Sequence, residues 1–278
     1  MPLASAGDLL ASAALNHGAV GAFNVVLLEQ AEALVEAAER AGLPLILQIS
    51  ENCVHYHGSV APLARATLEL AAASQQAVCV QLDHATSPEL VARSIEVGLQ
   101  AVMFDASELD YDDNVEQTAL VVSTSHRRGV WVEAELGAVG GKGGVHAPGV
   151  RTDPTQARLF VVATGVDALA VAIGTQHRMT SRDATIDLAL LEHLHEVVSC
   201  PLVLHGSSGV SDEDLRKAVK GGIRKVNLAT HLNVVFTEAI RCFLTEHHDA
   251  VDPRHYVSAG RTALSTEAAR LLTLLADV

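Results

Sequence analysis

The chain has 278 residues, of which 49% are hydrophobic and 3% aromatic, and its formal net charge is −14. This length suits either two average domains or one large α/β domain. The negative charge argues against nucleic acid or an anionic membrane surface as a partner, and no apolar run is long enough to predict a membrane span.

Two further features of the sequence indicate the cellular compartment of the protein. The four cysteines, Cys53, Cys79, Cys200 and Cys242, are widely spaced and form no Cys-x-x-Cys pair, so we expect them to be reduced and mostly structural. The first residues show no basic region followed by an apolar stretch, so no signal peptide is expected. Together these features indicate a soluble cytoplasmic protein.

Short apolar segments that suit buried strands alternate along the chain with segments whose apolar residues recur at helical spacing. A first helix is predicted over residues 5–16. Strands are predicted at 19–25, 44–50, 77–84, 101–105, 130–136, 168–173, 201–205 and 223–228. Helices are predicted at 28–41, 59–74, 88–98, 112–128, 155–164, 186–198, 211–220 and 232–245, with a last helix at 261–276.

Eight βα units in succession require a parallel sheet, and eight such units match a closed barrel. The sequence therefore predicts an α/β fold of the (β/α)8 TIM-barrel type, with residues 1–278 forming one domain that has extra N- and C-terminal helices. The alternative is an open doubly wound sheet, but no Gly-x-Gly-x-x-Gly fingerprint follows the first strand. Residues 137–153 contain six glycines and interrupt the alternation of strands and helices, which predicts a long loop with a functional role.

In such a barrel the carboxyl ends of the strands form the active face. Asp83 and His84 end the third predicted strand, and His177 and His205 follow the sixth and seventh. Any one of these histidines could simply be a hydrogen-bonded rim residue, but three at strand ends are hard to attribute to chance. Three histidines with an open position are a catalytic zinc arrangement, and the acid beside His84 is what metal-assisted proton transfer needs.

The loops after the last two strands are the usual phosphate site of these barrels. Here they are rich in small and hydroxyl residues, which let backbone N–H groups approach an anion: Gly206, Ser207, Ser208, Asn227, Leu228, Ala229 and Thr230. An ordinary turn with hydroxyl caps is the alternative. Asp105 and Glu135 could hold a second cation or orient a ligating histidine, and Glu133 could do either or be a buried ion-pair partner.

The segments at the strand ends resemble the class II, metal-dependent aldolases of ketose 1,6-bisphosphates, of the fructose- and tagatose-bisphosphate aldolase type. The motifs include Leu-Asp-His at 82–84 and His-Gly-Ser-Ser-Gly at 205–209. The matching stretches lie in family order and cover nearly the whole chain: 21–24, 82–84, 104–107, 132–137, 170–177, 202–209, 225–230 and 252–254.

The resemblance implies reversible cleavage of a ketose 1,6-bisphosphate, with fructose 1,6-bisphosphate favoured, to dihydroxyacetone phosphate and glyceraldehyde 3-phosphate. It implies that Zn²⁺ is bound by His84, His177 and His205, and that Asp83 shuttles the proton of the C4 hydroxyl. The remaining implied roles are the phosphate site at Gly206, Ser207, Ser208, Asn227, Leu228, Ala229 and Thr230, the sugar contacts Asn24 and Ser50, and a monovalent or second divalent cation at Asp105 and Glu135.

Two departures from the family pattern lie near the metal site. Family members usually carry acidic residues where residues 142–146 read Lys-Gly-Gly-Val-His, so we expect His146 or a water to relay the second proton, or the substrate to differ. Arg178 follows His177 where glycine is usual, and it could either contact phosphate or point to solvent.

A third departure concerns the second phosphate. Ser258 stands where some fructose-specific members carry an arginine, so Arg254 or Arg261 would have to serve, across a subunit boundary in a homodimer or homotetramer. The substrate alternatives are tagatose 1,6-bisphosphate or another ketose phosphate. The functional alternatives are a metal-dependent isomerase or hydrolase, and a phosphosugar-binding barrel that has lost catalysis.

Overall fold

The computed structural model describes residues 3–137, 150–177 and 179–277. Its strands are all parallel and close into a barrel in chain order, with the last strand paired to the first. They are β1 (Val20–Asn24), β2 (Leu45–Ser50), β3 (Val78–Ala85), β4 (Ala101–Phe104), β5 (Trp131–Leu136), β6 (Ala168–Val171), β7 (Leu202–Leu204) and β8 (Ile223–Leu228). The predicted TIM barrel is confirmed.

Helices surround the barrel and extend it at both ends. In the described ranges they are α1 (Ala6–Leu15), α2 (Leu28–Ala41), α3 (Glu51–His57), α4 (Ala61–Ala73), α5 (Pro88–Val97), α6 (Tyr111–His126), α7 (Pro154–Thr164), α8 (Leu188–Val197), α9 (Asp212–Lys220), α10 (Thr230–Glu246) and α11 (Pro253–Ala276). The extra terminal helices are therefore confirmed as α1 and α11.

Two helix predictions need correction, and both errors lie at N-caps. The helix α3 was not predicted, because it is short and has little apolar periodicity; it begins where the Ser50 hydroxyl accepts a hydrogen bond from the Cys53 N–H at 3.2 Å. The helix α11 begins at Pro253 rather than at residue 261, because the Asp252 carboxylate caps it by accepting from the Arg254 N–H at 3.0 Å. Both caps could have been predicted from the sequence, because Ser50 precedes Glu51 and Asp252 precedes Pro253.

The barrel interior is apolar at the amino ends of the strands. Leu9 and Leu10 of α1 cover this end, where they pack with Val20, Ile46 and Cys79. The Ala4 N–H also donates to the Val78 carbonyl at 2.9 Å, which ties the segment before α1 to β3. The N-terminal helix is therefore a plug for the lower end of the barrel.

The interior becomes polar toward the carboxyl ends of the strands. Gln48, Gln81, Glu133 and Lys225 are all fully buried there. Such groups persist inside a protein only when they are paired and hydrogen-bonded, so this end must contain a connected network. That network supports the site described below.

Two remaining expectations concern cysteines and membranes. Burial raises the pKa of the Cys53 thiol to about 11 and that of Cys79 to about 12, so both stay protonated, and the four cysteines are free. Among the residues that the structure describes, none of the helices has both the length and the apolar character needed to cross a bilayer.

Candidate active site

A cleft of about 790 Å³ opens at the carboxyl ends of the strands. The loops after β7 and β8 form one end of it, and the start of α3 and the loop after β4 form the other. The side chains of Asp83, His84 and His177 lie on its floor. Of the predicted sugar-facing residues, Asn24 and Ser50 both line the cleft.

Barrel closure brings together the three histidines that were singled out at the strand ends. His84, His177 and His205, together with Glu135, each offer one ligand atom, and these four atoms lie within 4.8 Å of one another. The ring centroids are 4.8 Å apart for His84 and His205, 5.0 Å for His84 and His177, and 5.8 Å for His177 and His205. Their separation in the sequence is thus no obstacle to a common site.

The His205 ring is fully buried between two carboxylates of β5. Its Nε2 lies 2.9 Å from Glu133 Oε1, and its Nδ1 lies 2.9 Å from Glu135 Oε2. Burial lowers the pKa of this ring, but the hydrogen bonds and charges of the two glutamates outweigh burial and raise the pKa to about 9. A metal on one ring nitrogen would displace a proton there, and the other nitrogen would keep its carboxylate partner.

His84 is held in an unusual backbone conformation. Its φ angle is +50°, in the left-handed region that non-glycine residues seldom adopt, and the pairing of β3 with β4 shifts register between Leu82 and Ala85. Two contacts compensate: the His84 N–H lies 3.3 Å from Met103 Sδ, and Nδ1 lies 2.7 Å from Asp105 Oδ2. The contact with Asp105 fixes the ring and leaves Nε2 for a ligand.

Asp105 and Glu135 are linked by a hydroxyl that the sequence had not marked. Ser107 Oγ donates to Asp105 Oδ1 at 2.7 Å and lies 3.3 Å from Glu135 Oε1. Asp105 therefore orients His84, and Glu135 lies beside His205. The geometry supports the orienting role for both carboxylates, and it also gives Glu135 a place among the candidate metal ligands.

Asp83 is nearly buried and is held by two side-chain amides. Asn24 Nδ2 donates to Oδ2 at 2.9 Å, and Gln48 Nε2 donates to Oδ1 at 3.1 Å. The second of these oxygens lies 3.9 Å from His84 Nε2. The carboxylate therefore has a fixed position immediately beside the candidate metal ligands.

A chain of buried polar groups continues below Asp83. Gln48 Nε2 also lies 3.2 Å from Gln81 Oε1, and Gln81 Nε2 donates to Glu133 Oε2 at 3.2 Å. Lys225 Nζ donates to the same Glu133 oxygen at 2.7 Å and to Asn227 Oδ1 at 2.8 Å. Of the three roles considered for Glu133, the buried ion pair is thus observed, together with a contact to His205.

The electrostatics of Glu133 follow from these partners. Burial would raise the pKa of its carboxyl, but the charge of Lys225 and hydrogen bonds from His205 and Lys225 lower the pKa to about 2. Glu133 is therefore an anion, and it links the Lys225 ammonium to the His205 imidazole across the barrel.

The two predicted phosphate loops lie side by side at one end of the cleft. Gly206 has φ +66°, and a Cβ there would lie 2.7 Å from the backbone oxygen of Gln176, so only glycine fits. The Ser207 hydroxyl donates inward to the Leu204 carbonyl, whereas the Ser208 hydroxyl accepts the His231 N–H at 3.1 Å. Helix α10 begins at Thr230, so its N-terminus adds a positive dipole end to this part of the cleft.

A set of ion pairs supports these loops from outside the cleft. His231 Nε2 lies 2.7 Å from Glu267 Oε1 of α11, and Arg270 Nε donates to Glu267 Oε2 at 2.8 Å. Arg270 also pairs with Asp212 of α9, which pairs in turn with Arg182. We call His231, Glu267, Arg270, Asp212 and Arg182 the rim brace. It connects the starts of α9 and α10 to the C-terminal helix.

The remaining predicted site residues lie elsewhere. The Leu228 side chain is buried in the core, so only its backbone could serve a phosphate. Arg254 is exposed and pairs with Asp252, and it does not line the cleft. His146, Arg178 and the segment 142–146 lie outside the described residues.

The donor set fits a divalent metal. Imidazole nitrogens and a carboxylate oxygen are the ligands that zinc takes in catalytic sites. The supporting carboxylates are also in place, because Asp105 orients His84, and Glu133 and Glu135 contact His205. Zinc sites characteristically have such partners on their ligating histidines.

Comparison with known proteins supports the same interpretation. The family model described as fructose-bisphosphate aldolase class-II matches residues 4–277. The YdjI aldolase from Escherichia coli K12 is 31% identical, with a TM-score of 0.86 over 98% of this chain and 97% of that one. A putative fructose-1,6-bisphosphate aldolase from Coccidioides immitis is 26% identical, with a TM-score of 0.87 over 97% and 95%. The fructose-bisphosphate aldolase from Campylobacter jejuni, at 20% identity and a TM-score of 0.83 over 99% and 95%, shares the fold.

Proposed function

Because the chain belongs to the class II fructose-bisphosphate aldolase family, a family of metal-dependent lyases, we propose that it is a zinc-dependent aldolase. It reversibly cleaves a phosphorylated ketose to dihydroxyacetone phosphate and an aldehyde. The observation that supports this most directly is the placement of the Asp83 carboxylate 3.9 Å from Nε2 of His84, which is one of the three histidines of the cluster. A proton-accepting group thus lies directly beside the candidate metal site.

The metal ligands in this proposal are His84, His177 and His205, with Glu135 within reach of the same site. Bound zinc would supply a Lewis acid that polarises the ketone and stabilises negative charge developing on the three-carbon half of the substrate. Asp105 would keep the His84 ring in a ligating orientation, since it contacts Nδ1. Asp105 and Glu135 also remain candidates for a monovalent or second divalent cation.

Asp83 would be the base in the cleavage direction. It takes the proton of the C4 hydroxyl as the C3–C4 bond breaks, C4 becomes the aldehyde carbon, and the electron pair of the bond stays on C3, which is then protonated. Asn24 and Gln48 each donate a hydrogen bond to the carboxylate, which holds it in a fixed orientation. In the condensation direction Asp83 returns the proton.

The phosphate of dihydroxyacetone phosphate would lie between the two loops after β7 and β8. Gly206, Ser208 and the N-terminus of α10 would present N–H and hydroxyl groups to it. Ser50 and Asn24 would face the sugar from β2 and β1. Fructose and tagatose 1,6-bisphosphates stay the family's candidate substrates, and a cytoplasmic location and a homodimer or homotetramer stay predictions.

The test combines metal content with turnover. Protein purified with zinc should contain about one tightly bound ion per chain at the histidine cluster. It should also release dihydroxyacetone phosphate from at least one of four ketoses: the 1-phosphates and 1,6-bisphosphates of fructose and tagatose. Protein that binds no metal would contradict the proposal, whereas bound zinc and phosphosugar without any turnover would favour the non-catalytic alternative.

Substitution of Asp83 tests the proton assignment. Asp83→Ala should lower kcat by about 10²–10⁴-fold while the zinc content stays that of the wild type, because general-base catalysis contributes about that factor. Asp249→Asn, at an exposed position beyond α10, is the matched control and should retain full activity. An Asp83→Ala variant that kept wild-type turnover would refute the assignment.

A further inference from the structure

The two ends of the cleft differ in their chemistry. The phosphate end is formed by the loops at 206–208 and 227–230. The opposite end, which we call the aldehyde end, is formed by Glu51 and Asn52 at the start of α3 and by Glu108 and Leu109 in the loop after β4. In the closed barrel β8 lies across from β4, so these two ends flank the metal cluster from opposite sides.

Glu51 gives the aldehyde end a fixed negative charge. Its Oε2 accepts hydrogen bonds from the Thr86 N–H at 2.6 Å and from the Thr86 hydroxyl at 3.0 Å. These bonds hold the side chain of Glu51 against the loop after β3, and only 12% of that side chain is exposed. The carboxylate therefore has a defined position in the wall of the cleft.

The described groups near Glu51 include a second acidic residue, Glu108, which lines the same end and has an interaction partner of its own. Within the described parts of the cleft wall there is neither a lysine nor an arginine, and His55 lies 3.6 Å from Glu51. Arg254 and Arg261, the sequence candidates for a second phosphate, pair with Asp252 and Glu32 and do not line the cleft.

We propose that the aldehyde end takes an unphosphorylated hydroxyaldehyde, so that the enzyme acts on ketose 1-phosphates in preference to ketose 1,6-bisphosphates. A phosphate dianion placed there would face the Glu51 carboxylate, whereas hydroxyl groups can donate to that carboxylate and accept from the Asn52 amide. Leu109 offers an apolar contact for the carbon chain. The inference rests on the proposed aldolase function, and it narrows the substrate of the same site.

Matched substrates test the proposal directly. The zinc-loaded enzyme is assayed for cleavage of fructose 1-phosphate against fructose 1,6-bisphosphate, and of tagatose 1-phosphate against tagatose 1,6-bisphosphate. Within each pair the sugar stereochemistry is constant, so the ratio of kcat/KM values reports only the distal phosphate. In the condensation direction, dihydroxyacetone phosphate is combined with D-glyceraldehyde or with D-glyceraldehyde 3-phosphate. We expect the unphosphorylated partner to be favoured at least tenfold in both directions.

A charge-neutral variant identifies the group responsible. Glu51→Gln keeps the size of the side chain and an oxygen that can accept from Thr86, but it removes the charge. It should raise several-fold the ratio of kcat/KM for D-glyceraldehyde 3-phosphate to kcat/KM for D-glyceraldehyde. Added salt should also weaken the wild-type preference for D-glyceraldehyde, because salt screens the charge of Glu51. Glu69→Gln removes the same charge from an exposed position on α4 and should leave the ratio unchanged.

The possible outcomes distinguish the substrate inference from the aldolase function on which it rests. A preference for either bisphosphate, or for D-glyceraldehyde 3-phosphate, would overturn the substrate inference and leave the aldolase function intact. A preference for the unphosphorylated partners that Glu51→Gln left unchanged would overturn the role of Glu51. Failure to cleave or condense any of these compounds, with zinc bound, would instead overturn the aldolase function itself.

Discussion

The two ends of the barrel interior are built from the same strands but have opposite chemistry. Inward-facing residues recur at every second position of a strand, and on β3 they run from Cys79 through Gln81 to Asp83. On β5 the same spacing runs from Trp131 through Glu133 to Glu135. Each strand thus starts as part of an apolar plug and ends as part of a reactive site. Substitutions in the apolar level should therefore change stability alone, whereas substitutions in the polar level should change both stability and activity.

The comparison predicts that the largest loss of stability comes from the polar level. Lys225→Met leaves the Glu133 carboxylate buried without its cation, which should lower the free energy of unfolding by about 3–5 kcal/mol. Urea denaturation measures this change. Lys220→Met, at an exposed position at the end of α9, is the control and should alter stability by less than about 0.5 kcal/mol.

A double variant then distinguishes charge from packing. Glu133→Gln added to Lys225→Met removes the unpaired charge, so it should restore part of the lost stability. It should not restore activity, because His205 would lose one of its two carboxylate partners. If the free energy of unfolding of the double variant were lower than that of Lys225→Met, the effects of the two substitutions would add. Glu133 would then have a role other than pairing with Lys225.

The apolar level should respond in stability alone. Leu10→Ala removes a fully buried side chain from the helix that covers the lower end, at an expected cost of about 2–4 kcal/mol. The kcat and KM of the folded fraction should stay at wild-type values, since the plug does not contact the cleft. Leu15→Ala, on the same helix but 83% exposed, is the control and should cost little. A change in KM with Leu10→Ala would show that the two levels are coupled.

The sequence predicted the strands and their ends well, because eight short apolar segments with polar residues at one end have few alternative arrangements. It did not predict the Gln48–Gln81–Glu133–Lys225 chain. Strands of a parallel barrel are buried on both faces, so periodicity alone does not tell which side of a strand faces the interior. Glutamines in the middle of apolar strands could have indicated the inward-facing side, since an apolar interface between a strand and the helices offers a buried amide no hydrogen-bond partner.

Prediction was weakest for residues whose role depends on contacts between elements that are distant in the sequence. The His231–Glu267 contact joins residues 36 positions apart, from α10 and α11, and it becomes visible only when α11 is packed beside the barrel. The same holds for Glu51, whose importance depends on the Thr86 loop that fixes it. In the proposed mechanism, the residues that act directly on substrate lie at strand ends and can be found from sequence, whereas the residues that position them depend on tertiary packing.

The smallest expected effect concerns the rim brace, and its pH dependence has a definite sign. Burial would raise the pKa of Glu267, but hydrogen bonds from Arg270 and His231 lower it from 4.5 to about 2. A carboxyl with a lowered pKa stabilises the fold above its ordinary pKa, and that contribution is lost as the pH falls from about 4.5 toward 2. Because the pair is partly exposed, we expect Glu267→Gln to cost only about 1 kcal/mol at pH 7.

Unfolding of the metal-free protein, compared between the wild type and Glu267→Gln, measures this contribution without interference from acid release of zinc. The difference should be constant above about pH 5 and should shrink as the pH falls below 4.5, whereas Glu246→Gln, at an exposed position of α10, should show no such trend. In the zinc enzyme at pH 7, the KM for the ketose phosphate should rise a few-fold with kcat nearly unchanged, because the brace supports the phosphate loops and does not touch Asp83. An equal loss in kcat would mean that the rim brace also positions the metal site.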